Sequence, residues 1–372
     1  MLLIVAGFFI TTLSRYERVD TGFDAEHVAT VSVDVRFSKY TEEQGRAFYR
    51  RLLAQAQSLP GITAASLTDY LPLSIEGRGA ISAMREGESR ANAHVASRVN
   101  ISPGLFQTLG IRILRGRDFG HDDGISSPPV VILTEQAARR FWPGADPVGR
   151  RLVISLGRVP TIARVVGIVS DVRTSFSEYR MPLIYLPMEQ DYSSGMHLVA
   201  RTRGNPAQTV ERLRRLVYEV DDNVGILDSK TMAENIALTL FPMRTATVLL
   251  SLCGFFGLLL ATVGLYGVVS YSVAQRTREI GIRTALGARR GDIIKMVLKE
   301  GFKVTLIGSA LGILLAIAAR RAITLMSVGA VAFDARVIVG MPIFIAGIIL
   351  LSCYVPAGRA ARIDPIKALR EL

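Results

Sequence analysis

Apolar positions recur in two rhythms along the 372 residues. Before Arg244 they come in short runs. Some of these alternate with polar residues, and others are spaced as on one face of a helix. After Arg244 they come in blocks of helical length. The first rhythm predicts a mixed α and β region, the second a set of helices long enough to cross a membrane.

Between Arg244 and Arg276 lie 31 residues without a charged side chain, and 248–273 is the strongest of the long apolar segments. The segment 304–319 is shorter. It spans a hydrocarbon layer of about 30 Å if Lys303 and Arg320 snorkel and 322–326 extends the helix. The third segment, 337–357, is interrupted only by Pro342 and Pro356; Pro342 lies near its start, where a missing N–H costs little. Residues 1–13 form a fourth apolar stretch before Arg15. As a helix it reaches only about 20 Å. It has no basic n-region and no small-x-small cleavage site, so it reads as a first span without its cytoplasmic start rather than a signal peptide. Glycines recur at heptad spacing in the long segments, as Gly257 and Gly264, Gly301 and Gly308, Gly340 and Gly347, and Gly308 with Gly312 forms a GxxxG. Small residues on one face let helices approach closely, so these are the expected packing positions.

In the first region 28–37 alternates and predicts a strand. Thr41 and Gln44 make a T-x-x-Q capping box opening a helix with Phe48, Leu52 and Leu53 on one face, which ends at Pro60-Gly61. A strand is expected over 62–68, then a loop or hairpin to about residue 92. Ser102 with Pro103 predicts a capped helix that Gly110 closes, and 111–114 is extended. Further strands are expected at 130–133, 161–172, 183–186 and 197–201. Thr134 caps a helix ending near Trp142-Pro143-Gly144, and Asn205 one that ends near Val220. Thr231 and Glu234 form a second capping box, whose helix continues through Phe241-Pro242 into the apolar segment. The order βαβ…αβ…βαβ predicts an α+β domain of two lobes, and about 230 residues suffice for a real core.

The net charge of +12 and a mean hydropathy of +0.33 sharpen this picture. After Arg244 there are 15 basic and 6 acidic residues; up to and including it, 29 and 26. The excess therefore belongs to the helical segments, and positive-inside sorting explains it better than nucleic acid does. Its densest part holds Arg276, Arg278, Arg283, Arg289, Arg290, Lys295, Lys299 and Lys303 against Glu279, Asp292 and Glu300. That places 275–303 inside the cell, 15–244 outside, and the tail 358–372, with Arg359, Arg362, Lys367 and Arg370, inside. Arg320 and Arg321 are an outward basic pair against this rule. Cys253 and Cys353 both lie in apolar segments, so the polar region has no disulfide framework.

No G-x-x-x-x-G-K-[ST] occurs, which excludes the P-loop route to ATP for these residues. No G-x-S-x-G elbow marks a Ser/His/Asp hydrolase. His121-Asp122-Asp123 fits a loop better than a metal corner, because three adjacent residues rarely converge on one ion. Phe141-Trp142-Pro143 fits a core aromatic at a helix end better than a partner contact. Neither a catalytic residue, a cofactor nor a metal is expected.

Several stretches together resemble the MacB/FtsX-type ABC transporter permeases over nearly the whole chain. They are Arg278-Glu279-Ile280-Gly281-Ile282-Arg283 through Leu286-Gly287-Ala288, and the tail Arg359-Ala360-Ala361-Arg362-Ile363-Asp364-Pro365 through Ala368-Leu369-Arg370. In the polar region they are Phe106-Gln107-Thr108-Leu109-Gly110-Ile111, Arg115-Gly116-Arg117-Asp118-Phe119, Phe141-Trp142-Pro143-Gly144, Asp146-Pro147-Val148-Gly149 and Val165-Val166-Gly167-Ile168-Val169-Ser170-Asp171-Val172.

The resemblance implies a type VII permease in the cell inner membrane. Its parts would be a first span over 1–14, a periplasmic core domain over 15–244, an FtsX-like transmembrane domain over 245–357 and a cytoplasmic tail. The chain would then be a fragment or one half of a longer permease. An ABC ATPase would act in trans and dock on Arg278, Glu279, Ile280, Gly281, Arg283, Leu286, Gly287 and Ala288. The permease would work as a homodimer, or as a pseudo-dimer with a second half, among membrane lipids and with a periplasmic adaptor. It would transmit ATP-driven motion to the periplasmic domain. The alternative is an FtsX-like scaffold that regulates an extracytoplasmic enzyme. Macrolide-like drugs, peptides and lipoproteins all remain open as cargo. Arg289 departs from the family, standing where a small capping residue is common, which leaves the next helix to be capped by Asp292 or not at all.

Overall fold

The computed structural model describes residues 1–18, 20–74, 79–156, 159–174, 181–276, 279–280, 282–283, 286, 289–325 and 335–360. It divides into a sheet unit, Val19–Leu240, and a helical unit made of Met1–Arg18 and Phe241–Leu372.

The strands of the sheet unit are β1 (Val28–Asp34), β2 (Ile62–Thr68), β3 (Gly79–Arg85), β4 (His94–Ile101), β5 (Ile113–Gly116), β6 (Val130–Thr134), β7 (Arg151–Leu156), β8 (Val159–Val169), β9 (Leu183–Pro187), β10 (Gly195–Thr202) and β11 (Ile226–Thr231). All belong to one sheet. Its first part, β11-β1-β10-β2, is antiparallel and open. Its second part runs β4-β3-β7-β8-β6-β9 and returns to β4, because β9 pairs with β4 in parallel from Ser97↔Leu183 to Ile101↔Pro187. Six strands therefore close on themselves, with β5 attached to β8 outside the ring.

Each part has its own apolar filling. Ala83, Ala96, Leu133, Ile154, Val165 and Ile184 come one from each of the six strands into a single buried cluster, as the inward positions of a closed sheet do. Phe141 and Trp142, at the end of helix α4 (Glu135–Phe141), join that cluster, which supports the core reading of those aromatics. On the open part, helices α2 (Glu42–Ser58) and α5 (Pro206–Val220) set Phe48, Leu52, Leu213 and Val217 against Val31 and Leu198. The opposite face meets Phe106 and Leu109 of α3 (Leu105–Leu109).

The two parts of the sheet join at one register pair, Thr68↔Ile101. Around it Asp69 donates its N–H to Asn100 O at 3.0 Å, and Asn100 N–H donates to Asp69 Oδ1 at 2.8 Å. The Arg98 guanidinium is bonded to Asp191 and lies 4.0 Å from Asp69. Burial pushes the Asp69 carboxyl up to about 6, although the Asn100 N–H and Arg98 pull the other way.

Local signals are realised where the partner is close in sequence. Thr41 Oγ1 accepts from Gln44 N and Gln44 Oε1 from Thr41 N, completing the capping box. Thr134 caps α4, Asn205 caps α5 and Gly110 closes α3. Three expectations change. The strand at 28 stops at Asp34, whose side chain accepts from Arg36 N and starts a 3-10 turn, Val35–Ser38. Ser102 is not the cap of α3, because its Oγ accepts from Leu67 N across the joint; Gly104 takes the cap position. The strands β4, β7 and β11 were not expected.

In the helical unit α1 (Leu2–Arg18) precedes α6 (Met232–Gln275), α7 (Arg290–Leu325) and α8 (Ala335–Ala360). Among the described residues, three helices are long and apolar enough to cross a membrane, at Met232–Gln275, Arg290–Ala319 and Arg336–Arg359; Leu2–Tyr16 is apolar but shorter. Ile4, Phe8 and Phe9 of α1 are buried with Ala316 of α7 and Val337 of α8. Helix α6 begins in the sheet unit with its own capping box, Thr231 N–H donating to Glu234 Oε2 at 2.8 Å. There Thr239 Oγ1 donates to Leu73 O at 2.7 Å, and the helix then passes Pro242 without interruption.

Candidate functional site

The basic segment between α6 and α7 is the candidate, and its described residues sort into two faces. Ile280 N–H donates to Arg276 O at 2.9 Å and Leu286 N–H to Ile282 O at 3.0 Å, each bond closing over four residues. Ile280 is 2% exposed and buried with Ile293 of α7, beside Val273 and Met296. Ile282 and Leu286 face away, at 44% and 83% exposed. Glu279 and Arg283 pair across one turn at 2.7 Å, and Arg283 Nη1 also donates to Met296 Sδ at 2.9 Å. Arg289 N–H donates to Asp292 Oδ2 at 3.1 Å, so of the two outcomes left open for the start of α7 the structure has the bond to Asp292.

Glu279, Ile280 and Arg283 are thus held to this chain's own helices, while Leu286 is free to meet another surface. Arg278, Gly281, Gly287 and Ala288 lie outside the described residues, as do the tail positions from Ala361 onward.

Among the described residues, two of the expected packing glycines, Gly301 and Gly312, are close approaches and the other five are not. A methyl group added at Gly257, Gly264, Gly308, Gly340 or Gly347 meets no heavy atom within 4 Å, and at Gly312 it meets only Met1 N, at 3.3 Å. Heptad spacing selects a face but says nothing of what lies opposite. The tightest approaches in the helical unit are these: such a methyl would come within 2.7 Å of Val337 from Gly7, 2.7 Å of Leu3 from Gly254 and 2.9 Å of Cys353 Sγ from Gly301. Of these, only Gly301 stands among the heptad glycines.

Other candidate chemistry is spoken for. The Asp123 carboxylate takes two bonds from Arg117, at 2.6 and 2.9 Å, and one from Gly120 N–H. Hydrogen bonds from Arg117 hold this carboxyl below the usual range, against the effect of burial. Ser32 Oγ lies 2.6 Å from His197 Nδ1, but both side chains are buried in the sheet, closed to a substrate.

Comparison with known proteins completes the picture. The MacB-like periplasmic core domain family matches residues 1–216, and the FtsX-like permease C-terminal family matches 251–365. The chain is 32% identical over 302 residues to the "Probable syringafactin export ATP-binding/permease protein SyfD" of Pseudomonas syringae pv. tomato, across 75% of this chain and 42% of that protein. It is 28% identical over 296 residues to the "Macrolide export ATP-binding/permease protein MacB" of Agrobacterium fabrum, across 74% of this chain and 43% of that protein. The chain therefore spans less than half the length of these curated relatives. The crystal structure of the periplasmic region of MacB from Actinobacillus actinomycetemcomitans aligns with a TM-score of 0.40 at 15% identity, over 59% of this chain and 94% of that one. The first match covers more than half of the sequence, and the second is a permease family. The chain belongs to the MacB/FtsX-type permeases.

Proposed function

We propose that this chain is the permease part of an ABC-type exporter, and that it couples an ATPase lying outside these residues to motion of the sheet unit. The observation that carries this reading is the two-faced basic segment. Ile280 ties it to α7, while Leu286, 83% exposed and flanked by exposed Arg289 and Arg290, offers an apolar anchor in a cationic frame. Such a surface fits an acidic-rimmed pocket on a partner. Helix α6 supports the coupling, because one uninterrupted helix, Met232–Gln275, leads from the sheet unit to this segment.

In this reading the sheet unit is periplasmic. Its open part and its closed ring are the two lobes, and α1 is the first of four spans in the inner membrane. The permease pairs with a second copy or a second half, and an adaptor joins on the periplasmic side. The cargo is a hydrophobic compound. The relatives' names support this last point, one being named for a syringafactin and one for macrolides.

The test is Leu286→Asp in the full chain, produced with an ATPase encoded beside it. The expected outcome is at least about tenfold less ATPase retained on the purified permease, as loss of one apolar hot spot implies, with membrane insertion unchanged. Equal retention by both forms sinks the docking assignment. Retained ATPase without movement of any compound by the reconstituted complex would favour the scaffold role.

A further inference from the structure

The sheet unit holds a cleft of about 570 Å³ where its open part meets the ring. Its floor is buried and aliphatic, with Leu67 and Ile101 from the joint and Met188 from beyond β9. One wall is α2, where Arg50, Leu53, Ala54 and Gln57 recur at the spacing of one helix face. Ala54 is exposed and short, so it leaves room between its longer neighbours. The other wall is the loop from Gly120 to Ile125, between β5 and β6.

The loop is held in place by this chain alone. Gln190 Oε1 accepts from Val130 N–H at 3.0 Å, and its Nε2 donates to Gly124 O at 3.2 Å. The buried Asp123 accepts from Gly120 N–H at 2.8 Å. A wall ordered in advance costs a ligand little to meet. Ile125, at the end of that wall, is 69% exposed, so aliphatic surface stands in water at the edge of a cleft with an aliphatic floor.

Charge narrows the occupant. Glu189 is bonded to Arg46 at 3.3 Å and lies 4.0 Å from Arg50. Asp123 takes two bonds from Arg117. The carboxylates of the cleft are thus balanced from within the chain, and His121 stands exposed at the rim. A charged group entering would give up water and meet no spare opposite charge. The concave shape and the volume suit a small molecule, for which about 300 to 1,000 Å³ is usual.

We infer that this cleft binds an uncharged amphiphilic small molecule, its aliphatic body on Leu67, Ile101 and Met188 under Ile125, and its polar end toward Gln57 and His121. That this molecule is cargo rests on the export reading proposed above; its binding does not.

Photolabelling of the full chain in lipid nanodiscs tests this, with 3-azioctanol as the uncharged probe and the matching azi-octanoate as the charged one. Mass spectrometry locates the labelled residues. The alcohol should label 50–57 and 120–125 at least about tenfold more than the carboxylate does, because the carboxylate enters unpaired. Ala54→Phe fills the cleft from the exposed side of α2 and should lower labelling by a similar factor. Ile125→Ser should lower it about fivefold, as loss of part of one aliphatic contact implies. Gln55→Phe, exposed on α2 but not lining the cleft, should change nothing. Val95 and Ile162, aliphatic residues of the ring that are 57% and 47% exposed, should stay unlabelled. Equal labelling by the two probes, equal labelling at Val95 and Ile162, or full labelling in both Ala54→Phe and Ile125→Ser overturns the proposal. So does labelling that falls as protein concentration rises, which would give the cleft to a second copy. Movement of neutral compounds by the complex with its ATPase is measured separately. Labelling without movement leaves the cleft standing and strikes the export reading, whereas movement without labelling does the reverse.

Discussion

Val31 and Leu198 of the sheet unit are fully buried, whereas Leu260, Leu314 and Leu351 of the helical unit are 64–70% exposed. All five are aliphatic. What differs is the medium each unit is built against. The sheet unit removes aliphatic surface from water and so folds around it. In lipid that drive is absent, and helices associate by close packing instead. Glycine changes meaning in the same way. Gly116, at φ +75°, lets β5 lie against β8, where a methyl would sit 2.1 Å from Val166 O. Gly301 has ordinary helical geometry and serves only to admit Cys353. A hydrophobic pattern therefore reports burial only once the solvent is known.

This comparison breaks first where a charge enters each apolar set. Leu198→Asp should unfold the sheet unit outright, because a buried carboxylate there has no partner; loss of protease resistance in the full chain reads it. Leu314→Asp should leave the sheet unit intact and raise the insertion cost of α7 by about 3 kcal/mol, read as the fraction of chains with α7 inserted. Equal damage from both substitutions would erase the distinction.

Acid gives a smaller handle, confined to the sheet unit. The Asp69 carboxyl stands at about 6 in the fold, against 3.8 for the ordinary group. The folded form thus holds its proton more tightly than the unfolded one. This favours folding at low pH, and the advantage is lost as pH rises from about 4 through about 6, by about 3 kcal/mol at most. Asp69→Asn should flatten that part of the stability curve and raise the melting temperature at neutral pH. Asp123, held low by Arg117, acts with the opposite sign, and its contribution disappears as pH falls below the ordinary carboxylate range. The smallest effect is Thr41→Ala, which removes half of a capping box and should cost about 1 kcal/mol in chemical denaturation.

Elements were legible where their cause is local. Capping at Thr41, Thr134, Asn205 and Thr231 involves residues two or three positions away, and each bond is present. Strand β4 was missed because Ser97 breaks its apolar row between Val95 and Val99, and what accounts for Arg98 is Asp69 and Asp191, distant in sequence. Strand β11 was missed because it is an edge, with polar residues on both faces. Ser102 misled because its cap signal is real but spent on Leu67. In the basic segment Ile280 and Leu286 looked alike, both apolar among cations. Contacts with Ile293 and Met296, on the next helix, separate the buried one from the exposed one.

The pairing of β1 has a consequence for how the protein is made. It is the first strand of the sheet to be synthesised, yet its neighbours are the last two, and Thr30 Oγ1 reaches Lys230 O 200 residues away. The ring has the same property on a smaller scale, since β4 waits for β9. Contacts this distant form slowly, and unpaired strand edges invite wrong partners in the meantime. A chain interrupted before Ile226 leaves β1 with an open side. Completion of this sheet is therefore a proofreading event, available only after every residue up to the start of α6 has been delivered to the same compartment.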